Sequence, residues 1–221
     1  MKKNTYVKQS AFTMLELVFA IIVIGVLAAL AIPRLDNSNK QGAMDNILSD
    51  IRYTQHLALL GSKQMFNEKK WQQRYWHIVF SSCGEDNLFY MIGTDNDMED
   101  SDSANFEKSE AATDPANGRP MFYSCAGTNK TEVSNRIFLT DNYGITEVLA
   151  EGGCNQGGGD HIGFDYLGRP QNGFSTSTQP DSASYMYEKC TLTFTFTDGT
   201  KQKIEIAPET GYAHIVGQEN S

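Results

Sequence analysis

The sequence predicts an α+β fold, with one long N-terminal helix followed by a head built on an antiparallel β-sheet. Residues 12–32 are almost wholly apolar, and apolar residues then recur at helical spacing up to about Gly61. Beyond Trp71 the pattern changes to short β-rich runs separated by Gly, Asn, Asp and Pro. A length of 221 residues suits one globular head with an appendage.

The overall charge restricts the partners. The chain has 18 basic and 27 acidic residues, a net charge of -9. Because this charge opposes attraction to phosphate-rich surfaces, we expect no nucleic-acid partner.

The N-terminal segment predicts a membrane helix. The first eleven residues contain three lysines and no acid, and residues 12–32 are apolar apart from Thr13 and Glu16. At about 1.5 Å per residue this run forms a helix of about 30 Å, the thickness of a bilayer core. The lysines should stay on the cytoplasmic side, which places the later residues across the membrane.

Two interpretations of this segment compete. An ordinary secretory signal would be cleaved after the apolar run, where residues 29–31 offer an Ala-x-Ala match. However, a carboxylate inside an apolar helix costs about 2.5–3.5 kcal/mol at the helix centre, so Glu16 indicates a partner inside the membrane. The alternative for Glu16 is a side chain that reaches the interface without a partner.

Residues 11–18, Ala-Phe-Thr-Met-Leu-Glu-Leu-Val, followed by the apolar run, resemble the processing signal of type IV prepilins and type II secretion pseudopilins. Ala11 stands where that family usually has glycine. The resemblance implies cleavage by prepilin peptidase between Ala11 and Phe12, N-methylation of Phe12, and a role for Glu16 in filament assembly. The new amine of Phe12 would pair with Glu16 of a neighbouring subunit, since paired charges are far less costly than single ones in a low dielectric.

The resemblance also divides the chain. Residues 1–11 would be the leader, 12–33 the transmembrane and filament-core helix, 34–63 its amphipathic second half, and 64–221 a periplasmic β-rich head. Gly25 and Pro33 would mark a helix bend, although Pro33 is equally compatible with the end of the membrane span. In the second half the expected apolar face consists of Met44, Ile47, Leu48, Ile51 and Ala58, and the polar face carries Asp45, Asp50 and Arg52.

Nine strands are predicted in the head, the last hairpin turning at Asp198 and Gly199. They are residues 75–81, 88–93, 121–124, 136–140, 145–149, 162–166, 191–197, 201–207 and 212–216. Residues 47–58, 164–170 and 204–212 resemble GspH/FimT-type minor pseudopilins, which supports a type IV pilin fold.

Four cysteines without a Cys-x-x-Cys pair indicate two disulfides in an exported head. Their positions relative to the predicted strands favour Cys83–Cys125 and Cys154–Cys190 among three connectivities.

An acidic loop is the one candidate metal site. Ten acids and a single base lie between Gly84 and Gly118. Alternating oxygen ligands there could bind calcium, although a solvated acidic loop needs no metal. The candidate ligands are Asp95, Asp97, Glu99, Asp100 and Asp102.

Catalysis is not expected. Residues 152–159 are glycine-rich but lack the Lys-Ser/Thr of a phosphate-binding loop. Asp160, His161 and Asp165 could be imagined as a general-base group, but such neighbours arise by chance. The remaining histidines, His56, His77 and His214, show no metal-ligand spacing.

The sequence therefore predicts a minor pilin or pseudopilin, a subunit of a type II secretion pseudopilus or a type IV pilus. We expect a single-pass inner-membrane protein with a periplasmic head and no cofactor except possible calcium. The partners implied by the resemblance are other subunits, prepilin peptidase, the inner-membrane platform protein and the assembly ATPase. The alternative is a ligand-binding tip subunit for adhesion or DNA uptake.

Overall fold

The computed structural model describes residues 13–65, 67–84, 87–98, 106–155 and 161–218, and gives the backbone alone for residues 28–38. The chain divides into two compact units, Met1–Gln41 and Gly42–Ser221. The head belongs entirely to the second unit.

The predicted long helix is present as α1, Met14–Leu60. It ends where Gly61 begins an irregular segment, and the Gly61 N–H still donates to the Leu57 carbonyl at 3.1 Å. Across the part of the chain that the structure describes, no helix combines the length and apolar character needed to cross a membrane.

The second half of α1 contributes one face to the core of the head. All five residues of the predicted apolar face, Met44, Ile47, Leu48, Ile51 and Ala58, are buried. The placement of Asp50 on the polar face is wrong, because its side chain is buried. Asp50 lies three residues after Ile47, so helical geometry turns it toward the same side.

Within the described residues the head has eight strands, all pairing antiparallel. In chain order they are β1 Trp76–Ser82, β2 Leu88–Gly93, β3 Ile145–Gly152, β4 His161–Phe164, β5 Pro170–Gln171, β6 Cys190–Phe196, β7 Lys201–Ile206 and β8 Ala213–Ile215. A short helix, α2 Leu139–Tyr143, precedes β3.

The strands form two sheets rather than the single sheet that was predicted. One has the order β2-β1-β4-β5 and the other β3-β6-β7-β8. Chain neighbours β3 and β4 separate because β3 pairs with β6 while β4 pairs with β1. Phe80 of β1 and Phe194 of β6 contact each other with ring centroids 5.9 Å apart, so the two sheets share one core.

Two predicted strands are wrong. Residues 121–124 are irregular: the Met121 N–H donates to Ala112 and its carbonyl accepts from Ile92, but no ladder continues from these bonds. Residues 136–140 belong instead to a 3-10 turn, Asn135–Ile137, and to α2, and between them Phe138 makes only an isolated bridge to Phe89. Gly144, in a left-handed conformation, caps α2, which is the ordinary role of glycine after a helix. The other seven strands are confirmed with shifted ends, and β5 was not predicted.

Both disulfides connect the predicted partners. Cys83 and Cys125 are bonded with Cα atoms 5.7 Å apart, and Cys154 and Cys190 with Cα atoms 4.9 Å apart. The second bridge joins the end of β3 to the start of β6, where Gly152 and Cys190 are also paired in the sheet.

Two glycines give aromatic rings access to the first sheet. In its ladders His77 lies opposite Gly93 on one side and Gly163 on the other. A Cβ atom at Gly93 would come within 2.3 Å of the Phe106 ring, and one at Gly163 within 2.5 Å of the Phe174 ring. These glycines are therefore required for packing, since a larger residue would displace a buried ring.

We expect Gly93→Ala to lower the free energy of unfolding by about 1–3 kcal/mol, the usual cost of overpacking a core. Gly42→Ala is the matched control, because it lies in α1 with no atom within 4 Å of the added Cβ. This control should stabilise by about 0.5–1 kcal/mol through helix propensity. Urea unfolding of both variants measures the effect, and equal values would contradict the packing role of Gly93.

Candidate functional site

The N-terminal part of α1 is an exposed apolar surface. Every side chain from position 13 to position 27 is exposed. The large apolar side chains among them range in exposure from 41% at Val18 to 87% at Met14. Glu16 is the only charged residue in this range. We call residues 13–27 the assembly segment; its apolar surface far exceeds what soluble proteins leave uncovered without a binding role.

Glu16 has a local role that the sequence analysis missed. The Glu16 carboxylate accepts from the Thr13 N–H at 3.4 Å and from the Thr13 hydroxyl at 3.5 Å. In return, the Glu16 N–H donates to the Thr13 hydroxyl at 3.3 Å. This is a capping box, and the Thr-x-x-Glu spacing that forms it is visible in the sequence. The cap satisfies backbone donors at the helix start.

The structure describes only some of the other predicted residues of this region. Ala11 and Phe12, the predicted cleavage and methylation positions, lie outside the described residues. The backbone is helical at both Gly25 and Pro33, so no helix boundary occurs at either. Pro33 has no N–H, and the hydrogen bond normally made to the carbonyl four residues earlier is therefore missing.

A buried charge network connects α1 to the head. The Asp50 carboxylate forms an ion pair with the Arg136 guanidinium at 2.9 Å and accepts from the Tyr90 hydroxyl. Arg136 also contacts Asp114 at 3.4 Å, and Asp114 accepts from the Ser134 hydroxyl. The network thus joins α1, β2 and the segment before α2. In the sequence, the one sign of this network was the position of Asp50 next to the apolar face of α1.

Burial decides the charge state of this network. It raises the pKa of Asp50 from 3.8 to about 6, against the lowering effect of the Tyr90 hydrogen bond and the Arg136 charge, while Asp114 adds to the rise. The Arg136 pKa is itself raised by Asp50 and the other acids, despite its own burial. Asp50 is therefore charged at neutral pH but protonates within the mildly acidic range.

Three carboxylates form the acidic cluster of the head: Asp95, Asp97 and Glu110, whose oxygens lie within 4.8 Å of one another. The Asp95 carboxylate accepts from the Met98 N–H at 2.6 Å. Glu110 accepts from the N–H groups of Asn96 at 2.8 Å and Glu107 at 3.0 Å. Burial and then the neighbouring carboxylates raise the pKa of Asp95 to about 7.

These contacts explain the cluster as part of a turn, and calcium binding stays a prediction. Glu110 was not among the predicted ligands; the pairing of Gly93 with Ala111 brings it to the loop. Glu99, Asp100 and Asp102 lie outside the described residues. Calcium takes six to eight oxygen ligands, whereas two of the three carboxylates already accept backbone donors.

The imagined general-base group has a structural explanation. The Asp165 carboxylate accepts from the N–H groups of Leu167 and Arg169, both at 2.9 Å, and pairs with the Arg169 side chain at 2.7 Å. Asp165 therefore holds the turn after β4, and Asp160 lies outside the described residues. His77 and His161 come together with ring centroids 5.2 Å apart, packed with Phe106 and Phe174.

No protein-family model matches this chain, and no curated protein or solved structure is significantly similar to it.

We expect Asp50→Asn to change how stability depends on pH. Between about pH 4 and pH 6 the folded chain binds a proton at Asp50 that the unfolded chain does not, because the pKa is raised on folding. The free energy of unfolding of the wild type should therefore rise as the pH falls from about 7 to about 4. In Asp50→Asn this rise in the free energy of unfolding should be smaller by an amount on the order of 2 kcal/mol.

Urea unfolding at a series of pH values measures this difference. Asp45→Asn, an exposed change on the same helix, controls for the loss of one negative charge. Parallel pH curves for the wild type and Asp50→Asn would show that Asp50 does not take up the proton.

Proposed function

We propose that this chain is a minor structural subunit of a helical filament, of the type II secretion pseudopilus or type IV pilus class, rather than an enzyme. The observation that carries the proposal is the assembly segment, an exposed apolar helix surface with Glu16 as its single charged residue. The resemblance of residues 11–18, which overlap the start of this segment, to a prepilin processing signal supports the same conclusion.

Exposed apolar surface of this extent must be covered by lipid or by other protein. Covering it contributes roughly 25 cal/mol per Å² of apolar area removed from water. A pilin uses the same surface twice, first against membrane lipid and then against the helices of neighbouring subunits. Residues 12–33 would be the membrane anchor before assembly, with the leader residues 1–11 in the cytoplasm.

Glu16 gives the assembly its register. In an apolar environment a charged carboxylate requires a cation, and the contacts to Thr13 leave its negative charge uncompensated. Prepilin peptidase would free the amine of Phe12, and this amine on a neighbouring subunit would supply the cation. Subunits that make this pair are fixed axially, because any other register leaves two unpaired charges.

The head is suited to an exported location. Two disulfides form and persist in oxidising compartments such as the periplasm, which agrees with an inner-membrane protein whose head lies in the periplasm. A head with two sheets exceeds what a purely structural pilin needs, which favours a minor subunit. The platform protein and the assembly ATPase would act on this subunit as on others of the class.

A second function, ligand binding at the filament tip, is favoured by a separate feature of the head. This is an open cleft lined by aromatic and charged residues.

Processing is tested by the intact mass and N-terminal peptides of the protein from native membranes. We expect a chain that starts at Phe12 and carries one methyl group on its amine. A start beyond Ala31 would indicate an ordinary secretory signal. An uncut chain starting at Met1 would contradict processing by prepilin peptidase.

Charge pairing is tested by Glu16→Gln, which retains the capping ability of the side chain but removes its charge. We expect this variant to be processed but reduced at least tenfold in sheared filaments, measured by immunoblot. Thr13→Ala is the matched control: it removes the hydroxyl of the cap and keeps the carboxylate, so it should assemble. If Glu16→Gln assembles normally while Thr13→Ala does not, Glu16 acts through the cap and not through a charge pair.

A further inference from the structure

An open cleft of about 450 Å³ lies on the surface of the head, where three segments meet. One side is the turn between β4 and β5, and another is residues 182–187, held to β5 by the bridge between Gln171 and Tyr185. The third is the turn between β7 and β8. The residues that matter for its chemistry are Arg169, Ser182, Tyr185, Tyr187 and Glu209. None of them takes part in the assembly segment, so the cleft is independent of the proposed filament contacts.

The Arg169 guanidinium is held in a fixed position. Its Nε donates to the Asp165 carboxylate at 2.7 Å, and its Nη2 donates to the Tyr185 hydroxyl at 2.9 Å. It also lies over the Tyr185 ring, 4.6 Å from the centroid. Within the described residues its Nη1 group has no hydrogen-bond acceptor, so two fixed donors remain for a ligand. Asp165 neutralises its charge, which disfavours selection for a strongly anionic ligand.

Tyr187 gives the cleft an exposed aromatic surface. Its side chain is 68% exposed, and its hydroxyl donates to the Ser182 carbonyl at 3.3 Å, which orients the ring. An aromatic face carries partial negative charge and attracts partially positive C–H groups.

Glu209 adopts a strained backbone conformation at the edge of the cleft. Its φ is 62°, and the Thr210 N–H donates to the Pro208 carbonyl at 2.6 Å, closing a three-residue turn around it. Turns of this kind with positive φ are rare, and glycine would adopt the conformation without a Cβ clash. Strain of this kind is found mainly at functional sites. A carboxylate kept at a position suited to glycine indicates that the carboxylate is used.

We propose that this cleft binds a saccharide. A sugar ring has faces of C–H groups that stack on aromatic rings such as Tyr187, and adjacent hydroxyls that both donate and accept. Arg169 supplies fixed donors and Glu209 supplies acceptors, the two kinds of hydrogen-bond partner that sugar hydroxyls use. The volume is within the range of small-ligand sites and accommodates one or two sugar rings.

The test uses the full chain in a zwitterionic detergent, since glycoside detergents would compete. Cellobiose, lactose and N,N′-diacetylchitobiose are the probes, and saturation-transfer NMR with titration gives the affinity. We expect at least one disaccharide to bind, with Tyr187→Ala and Glu209→Gln each weakening it at least tenfold. Leu149→Ala is the matched control, because it truncates a large exposed side chain on β3, outside the three segments that form the cleft, and it should bind as the wild type does.

Glu209→Gly separates binding from folding. It relieves the positive φ, so the melting temperature should be unchanged or higher by about 2–4 °C, while saccharide binding is lost. The proposal is overturned if none of the three disaccharides binds, or if Tyr187→Ala and Glu209→Gln bind as the wild type does. It is also overturned if Glu209→Gly lowers both stability and binding, because Glu209 would then serve the turn.

Discussion

The head depends on the compensation of one buried carboxylate. Asp50 lies on the core side of α1, where an uncompensated charge would cost several kcal/mol. Its compensation comes from Arg136 and Tyr90, which belong to different parts of the head. The helix can therefore adopt its position only when the segment before α2 and the first sheet are both in place.

Packing around α1 also depends on several parts of the head at once. The helix face, the two sheets and the irregular segment around Met121 and Phe122 contribute to one apolar core. The glycines of the first sheet make room for rings from Phe106 and Phe174, which come from loops and cover His77. The buried rings of these two residues hold their loops against the sheet.

The two ends of α1 meet different physical demands. Side chains of its second half are buried in a core that the chain itself supplies, whereas those of the assembly segment have no cover among the described residues. The proposed filament subunit would need this division, because the head must fold alone while the assembly segment would exchange one apolar environment for another. The cleft beside Tyr187 and Glu209 uses a third region, made of turns on the head surface.

The sequence by itself determined the features that local patterns encode. Helical spacing marked the buried face of α1, and alternation with turn residues marked most strands and the hairpin at Gly199, because both signals lie within a few neighbouring residues. The order of the predicted strands also favoured, among three connectivities, the cysteine pairing that the structure has. Only the tertiary structure decided which strands share a sheet, that Asp50 is buried with Arg136, that Glu110 joins Asp95, and that three turns form a cleft around Arg169. These features join residues far apart in the chain, and no local periodicity records which distant side chain will compensate a charge or complete a surface.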